Sequence, residues 1–182
     1  MSIKDLIAQL ALRRSARHMA SEQLAFPGSL KHPKHILVCL PGGLRELTLV
    51  KQFLPVISDM FKPADIALLS APGVRVNDIF PRKGFQILSP TSDQLTWSGL
   101  PKKSYIKVLK DMKIDVVLDL NLQQSNFTSS ILLNFPEAVR IGRGNHLGRP
   151  YYNLEIKTKY LRDERNIYKS LLETIQLVRR SN

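Results

Sequence analysis

The sequence predicts an α/β fold: a mostly parallel sheet of about five strands, helices packed on both of its faces, and an amphipathic helix at the N-terminus. Three observations carry this. Residues 35–40, 65–70 and 115–120 are short, almost wholly apolar runs (HILVCL, DIALLS, DVVLDL), the pattern of strands buried on both faces. Helical patterns stand between these runs, so successive strands need crossover connections and lie parallel. The first run ends in Pro41-Gly42-Gly43, a tight turn from which a helix follows at once.

In chain order, Ile3, Leu6, Ile7 and Leu10 recur at i, i+3, i+4 and i+7, one face of a helix, and Arg13, Arg14, Arg17 and His18 follow. Such a helix suits a membrane surface or a partner's groove, and suits equally a seat on its own domain with solvated arginines. Pro27-Gly28-Ser29 marks a break. Residues 1–30 therefore read as a basic helix with its linker, and residues 31–182 as the main domain. After the first strand, Leu47, Val50, Leu54, Ile57 and Phe61 fall at helical spacing, and Pro55 predicts a kink or an early end. The second strand is 65–70 and the third 85–88. Residues 103–113 make a basic amphipathic helix, 115–120 the fourth strand, and a helix near 123–134 leads to a short fifth strand at Val139-Arg140-Ile141-Gly142. Leu154-Glu155-Ile156 is a candidate sixth extended piece. A long helix over roughly 161–180 closes the chain, with Ile167, Leu171, Ile175 and Val178 as its apolar stripe. The right-handed crossovers that this order requires make the domain a Rossmann-like, doubly wound sheet.

Composition bounds the function. A chain of 182 residues with 43% apolar and 23% charged residues carries a real core, so wholesale disorder is excluded. Cys39 is the single cysteine, which excludes an intramolecular disulfide and a cysteine-rich zinc site; in a buried strand it acts as a small inert hydrophobe. Four histidines without HxxxH spacing indicate no metal. No stretch approaches the ~20 apolar residues that span a bilayer, and no clean secretory pattern opens the chain, so a cytoplasmic setting is expected. The net charge is +12. Residues 1–35 hold six Lys and Arg against two acids, 36–139 hold eleven against nine, and 140–182 hold ten against four, so the excess sits at the two ends. That field attracts an anionic partner, whether nucleic acid, lipid head groups or an acidic protein. Nucleic acid has charge alone in its favour, because no binding motif is present and the aromatics do not interleave with the basic stretches.

Ligands of wound sheets bind beyond the carboxyl ends of the strands. The first strand delivers Pro41, Gly42, Gly43, Leu44, Arg45 and Glu46 to that edge. The glycines let the backbone approach a ligand, and the helix that follows offers free N–H groups to an anion. Glu46 can act as a general base if its surroundings raise its pKa, or simply complement the helix dipole, the commoner reason for such a residue. The loop is neither GxGxxG nor GxxxxGK[ST], so no dinucleotide or ATP site is indicated. Asn121, Ser125, Asn126 and Thr128 near the end of the fourth strand can hydrogen-bond a polar ligand; for Ser125 the simpler reading is a helix N-cap. His146 lies in a basic, glycine-containing loop from Arg143 to Arg149, and Trp97, Tyr151 and Tyr152 are aromatic groups in expected loops, fit to anchor an interface or to cap the core.

ILVCLPGGLRELTLV resembles the opening of glycosyltransferase family 9, the lipopolysaccharide heptosyltransferases, where a strand, a PGGLGD-like turn and an apolar helix follow one another. DVVLDLNLQQSNFTSSILL is similar to the family's DLVIDLQG segment and its helix, and Arg140-Ile141-Gly142 matches its RIG. The resemblance runs in register over residues 35–180. It implies one half of a GT-B arrangement, in which two Rossmann-like halves face each other across a cleft. The first half receives the acceptor and the second binds the nucleotide sugar; this chain matches the first. The family's loop Asp, its general base, falls on Glu46, and the glycine before it falls on Arg45. Pro41, Gly42, Gly43, Arg45, Asn121 and Ser125 are the expected ligand contacts. The donor-binding residues have no counterpart, so a nucleotide sugar is expected only with a second domain supplied in trans.

The expectation is a non-catalytic, glycosyltransferase-like binding or scaffold subunit without a cofactor. It would attach through its basic ends, with Ile3, Leu6, Ile7, Leu10, Arg13, Arg14 and Arg17 as contacts, to an acidic protein partner in a larger assembly or to the cytoplasmic face of the membrane. The alternative is a heptosyltransferase-like acceptor domain that works with a separate donor-binding chain.

Overall fold

The computed structural model describes residues 2–19, 28–80, 84–144, 148 and 150–181. Residues 24–27 of the expected linker, and Asn145, His146, Leu147 and Arg149 of the basic loop, lie outside the described residues.

The elements are α1 (Ile3–Arg17), α2 (Gly28–Lys31), β1 (His35–Cys39), α3 (Leu44–Phe61), β2 (Asp65–Leu69), β3 (Gln86–Leu88), α4 (Lys103–Asp111), β4 (Val116–Asp119), α5 (Asn126–Leu133), β5 (Val139–Arg143), β6 (Leu154–Ile156) and α6 (Glu164–Arg180). All six strands are parallel, in the order β3-β2-β1-β4-β5-β6. The doubly wound α/β architecture read from the sequence is thus present, and Leu154–Ile156 completes it as a sixth strand against β5.

Alternate residues of the strands feed two cores, as the two-residue period of a strand dictates. Ile36, Val38, Ile66, Leu68, Val116, Leu118 and Ile141 face α3 and α6. Leu37, Cys39, Ala67, Leu69 and Val117 face α4 and α5. β1 and β4 are buried on both sides because each lies inside the sheet with a helical layer above and below. Leu30, on the short α2, is fully buried in the first of these cores.

Two local expectations are corrected. α3 does not end at Pro55 but continues six residues further, to Phe61. Pro55 and Lys51, whose carbonyl loses its partner, are both exposed, so water replaces the missing hydrogen bond. Gly28 and Ser29, expected in a break, belong to α2.

α1 begins with a capping box. Ser2 Oγ accepts the Asp5 N–H at 3.2 Å, and Asp5 Oδ2 accepts the Ser2 N–H at 3.0 Å. The helix packs on α5, yet its buried residues are Ala8 and Leu12. The stripe that periodicity marks as apolar, Ile3, Leu6, Ile7 and Leu10, stays exposed, at 43–74%. No helix among the described residues is long and apolar enough to cross a membrane.

Candidate functional site

β1 and β4 are neighbours whose following helices lie on opposite faces of the sheet, α3 on one and α5 on the other. Their loops therefore part at the carboxyl edge, the switch point where wound sheets take ligands. Residues 40–43 form one lip and residues 120–125 the other.

Asp119, the last residue of β4, forms the floor and is 4% exposed. Its Oδ1 accepts the Asn121 backbone N–H at 2.9 Å and Asn121 Nδ2 at 2.7 Å. The Tyr152 hydroxyl donates to its Oδ2 at 2.6 Å. Burial, and then the Asp119 charge, push the Tyr152 hydroxyl far above its ordinary pKa, which keeps it a donor. Asn121 Nδ2 also reaches Thr128 Oγ1 at 3.2 Å, and the Thr128 N–H donates to Ser125 Oγ at 3.2 Å. Ser125 is thus the N-cap of α5. The Tyr152 ring crosses directly over Gly142, where any Cβ would overlap it.

The other lip is built on helix N-termini. Gly43 caps α3 without a side chain, and the Glu46 carboxylate folds back beside it. A Cβ on Gly43 would stand 3.3 Å from Glu46 Oε2. Burial raises the pKa of Glu46, the Glu164 charge raises it further, and the Gly43 N–H and Arg45 oppose the rise. Arg45 turns away from the crevice and pairs with Glu164 Oε2 of α6 at 3.0 Å. That pair is worth little, about 0–1 kcal/mol, because the arginine is 80% exposed. Tyr168 donates to the Leu120 carbonyl at 3.0 Å, and its hydroxyl pKa is raised by burial and by the charges of Glu46 and Glu164. Arg143, 8% exposed, donates to the Tyr160 carbonyl at 3.2 Å, while its Nε has no hydrogen-bond partner. Beside these groups an open groove of about 740 Å³ runs between the starts of α3 and α6, lined by Leu44, Arg45, Leu49 and Glu164 among others.

The structure brings Gly43, Arg45 and Glu46 together on one lip, and Asn121 and Ser125 on the other. Pro41 is buried beneath the first lip, where Gly42 and Gly43 are exposed. The α1 residues lie apart from both; only Arg13 approaches, in a hollow of about 130 Å³ shared with Gln9, Leu12, Gln124 and Tyr151. A larger hollow of about 690 Å³ opens at the opposite, amino edge of the sheet, around His35 and Asp65. Sequence reasoning missed Asp119, Glu164 and the site role of Tyr152. A charged residue ending an apolar strand, as in VVLD, is the one signal that could have found the first.

Chemically, the crevice offers an acceptor at Glu46 and the backbone of the exposed Gly-Gly turn, while the donors of Asn121 are already taken by Asp119 and Thr128. The raised pKa of Glu46 favours proton transfer. No group of three or more His, Cys, Asp or Glu side chains converges as a metal site among the described residues. Fold and site together define a doubly wound α/β protein with a polar crevice at its switch point. The chain matches no protein-family model, no curated protein and no solved structure.

Proposed function

We propose that this chain is a glycosyltransferase-like binding subunit, related in design to the heptosyltransferases, that does no catalysis itself and attaches through α1 to a negatively charged surface at the cytoplasmic side of the membrane. One observation carries the proposal. α1 is seated on α5 by Ala8 and Leu12, while Ile3, Leu6, Ile7 and Leu10 are left in solvent with Arg13, Arg14 and Arg17 exposed beyond them. A helix that hides its smaller apolar face and displays its larger one fits an attachment element better than a core element. The crevice adds support: Arg45, which stands where the resemblance has a glycine, is drawn to Glu164 of α6 in an ion pair.

The test is a double substitution, Leu6→Ser with Leu10→Ser, at exposed positions that leave the Ala8–Leu12 contact alone. The variant should keep the wild-type circular dichroism and thermal midpoint, yet lose most of its sedimentation with native membranes. Equal sedimentation of variant and wild type would overturn the attachment. Nucleotide-sugar turnover by the purified chain, abolished by Glu46→Gln, would overturn the non-catalytic assignment.

A further inference from the structure

We infer that the whole α1–Trp97–α4 side of the sheet is a docking face for an anionic lipid bilayer; this rests on the reading of α1 as the attachment element and extends it to α4 and to Trp97. α4 and α5 pack on one face of the sheet, and α1 packs on α5, so α1 and α4 stand on the same side. Charge divides across the sheet. Residues 2–19 carry Lys4, Arg13, Arg14 and Arg17 against Asp5, and Asp5 is already taken by the Ser2 cap. Residues 102–113 carry five lysines against Asp111. None of these cations makes an ion pair among the described residues. On the opposite side, α3 has two cations against two acids and α6 four against two, a smaller excess, and Arg45 and Lys169 are in ion pairs with α6 acids.

The apolar side chains follow the same division. Of ten large hydrophobic residues left exposed among the described ones, six lie on this side: Ile3, Leu6, Ile7, Leu10, Trp97 and Val108. Trp97, 64% exposed, joins the two helices: it lies in the loop that leads into α4, and Lys4 Nζ of α1 stands 5.3 Å from its ring centroid. An indole in solvent among unpaired lysines is suited to the head-group layer, where an amphipathic ring and long cations each find their own depth. A hollow beside α1 holds about 130 Å³, too small for a partner's helix. Exposed apolar ridges with unpaired cations fit a fluid anionic bilayer, which adapts to the protein, better than a folded acidic partner, which must match its shape.

Trp97 is the only tryptophan, so its emission reports the face directly. The full chain should sediment with vesicles containing phosphatidylglycerol and not with phosphatidylcholine alone. Its emission should shift to the blue and be quenched by brominated acyl chains. Lys103→Gln, Lys107→Gln and Lys110→Gln together should weaken vesicle binding on the order of tenfold or more, and Trp97→Ala several-fold, with the circular dichroism unchanged in both. Vesicle binding that depends on Leu6 and Leu10 while Trp97 emission stays fixed and the lysine variant binds normally would overturn the extended face and leave α1 as the attachment element. Binding to an acidic protein with none to either vesicle would overturn the bilayer and again leave α1 standing. Undiminished vesicle binding by the Leu6→Ser, Leu10→Ser variant would overturn the attachment reading itself.

Discussion

Glu46 carries a charge that the fold disfavours. Burial and Glu164 both disfavour its ionised form, so its pKa in the folded chain lies above that in the unfolded chain. A carboxyl raised in this way contributes stability below its unfolded pKa and loses it as pH rises through the folded pKa. Glu46→Gln keeps the size of the side chain and removes the charge beside Glu164. The variant should therefore melt higher than wild type at neutral pH, and the gain should vanish below the ordinary glutamate range. Thermal melts at the two pH values check this, and a variant that melts lower at pH 7 would mean that the charge stabilises the cap. The carboxylate itself was legible in the sequence; its neighbour was not, because Glu164 stands more than a hundred residues away and meets it only when α3 and α6 pack side by side.

At the scale of elements, the sheet was readable because its strands are buried on both faces and so carry uninterrupted apolar runs. β1 and β4 needed only hydropathy. β6, with three residues and one of them exposed, sat at the limit of what a pattern reveals. α1 was readable as a helix but not as a contact. Periodicity finds the most apolar stripe, whereas packing on α5 selected Ala8 and Leu12 and left that stripe outside. The floor of the crevice was the least legible part, since Tyr152 reaches Asp119 from a loop 33 positions on. What permits that reach is Gly142 on β5, whose missing Cβ leaves room for the ring. Gly142→Ala should force the ring aside and cost about 1–3 kcal/mol, the usual penalty of overpacking, measured by denaturant titration. An unchanged midpoint would show that the β5–β6 connection yields without loss.

For the molecule as a whole, the fold separates two energies that salt can tell apart. The cores above and below the sheet are apolar and close-packed, and the four ion pairs found are exposed or partly so. Screening therefore has little to act on in the folded state. The net charge of +12, by contrast, is concentrated outside the cores, and nine of its cations, none of them in an ion pair, stand on α1 and around α4. The Debye length falls from ~10 Å at 0.1 M salt to ~3 Å at 1 M, which shortens the reach of that charge below the width of a helix. Raising salt over this range should leave the thermal midpoint almost unmoved while releasing most of the chain from anionic vesicles. A residue of binding should survive through Ile3, Leu6, Ile7 and Leu10, because apolar transfer does not weaken with ionic strength. Midpoint and bound fraction measured on the same samples decide it. If they fall together, salt is acting on the fold; if neither moves, the apolar ridge holds the surface without the cations.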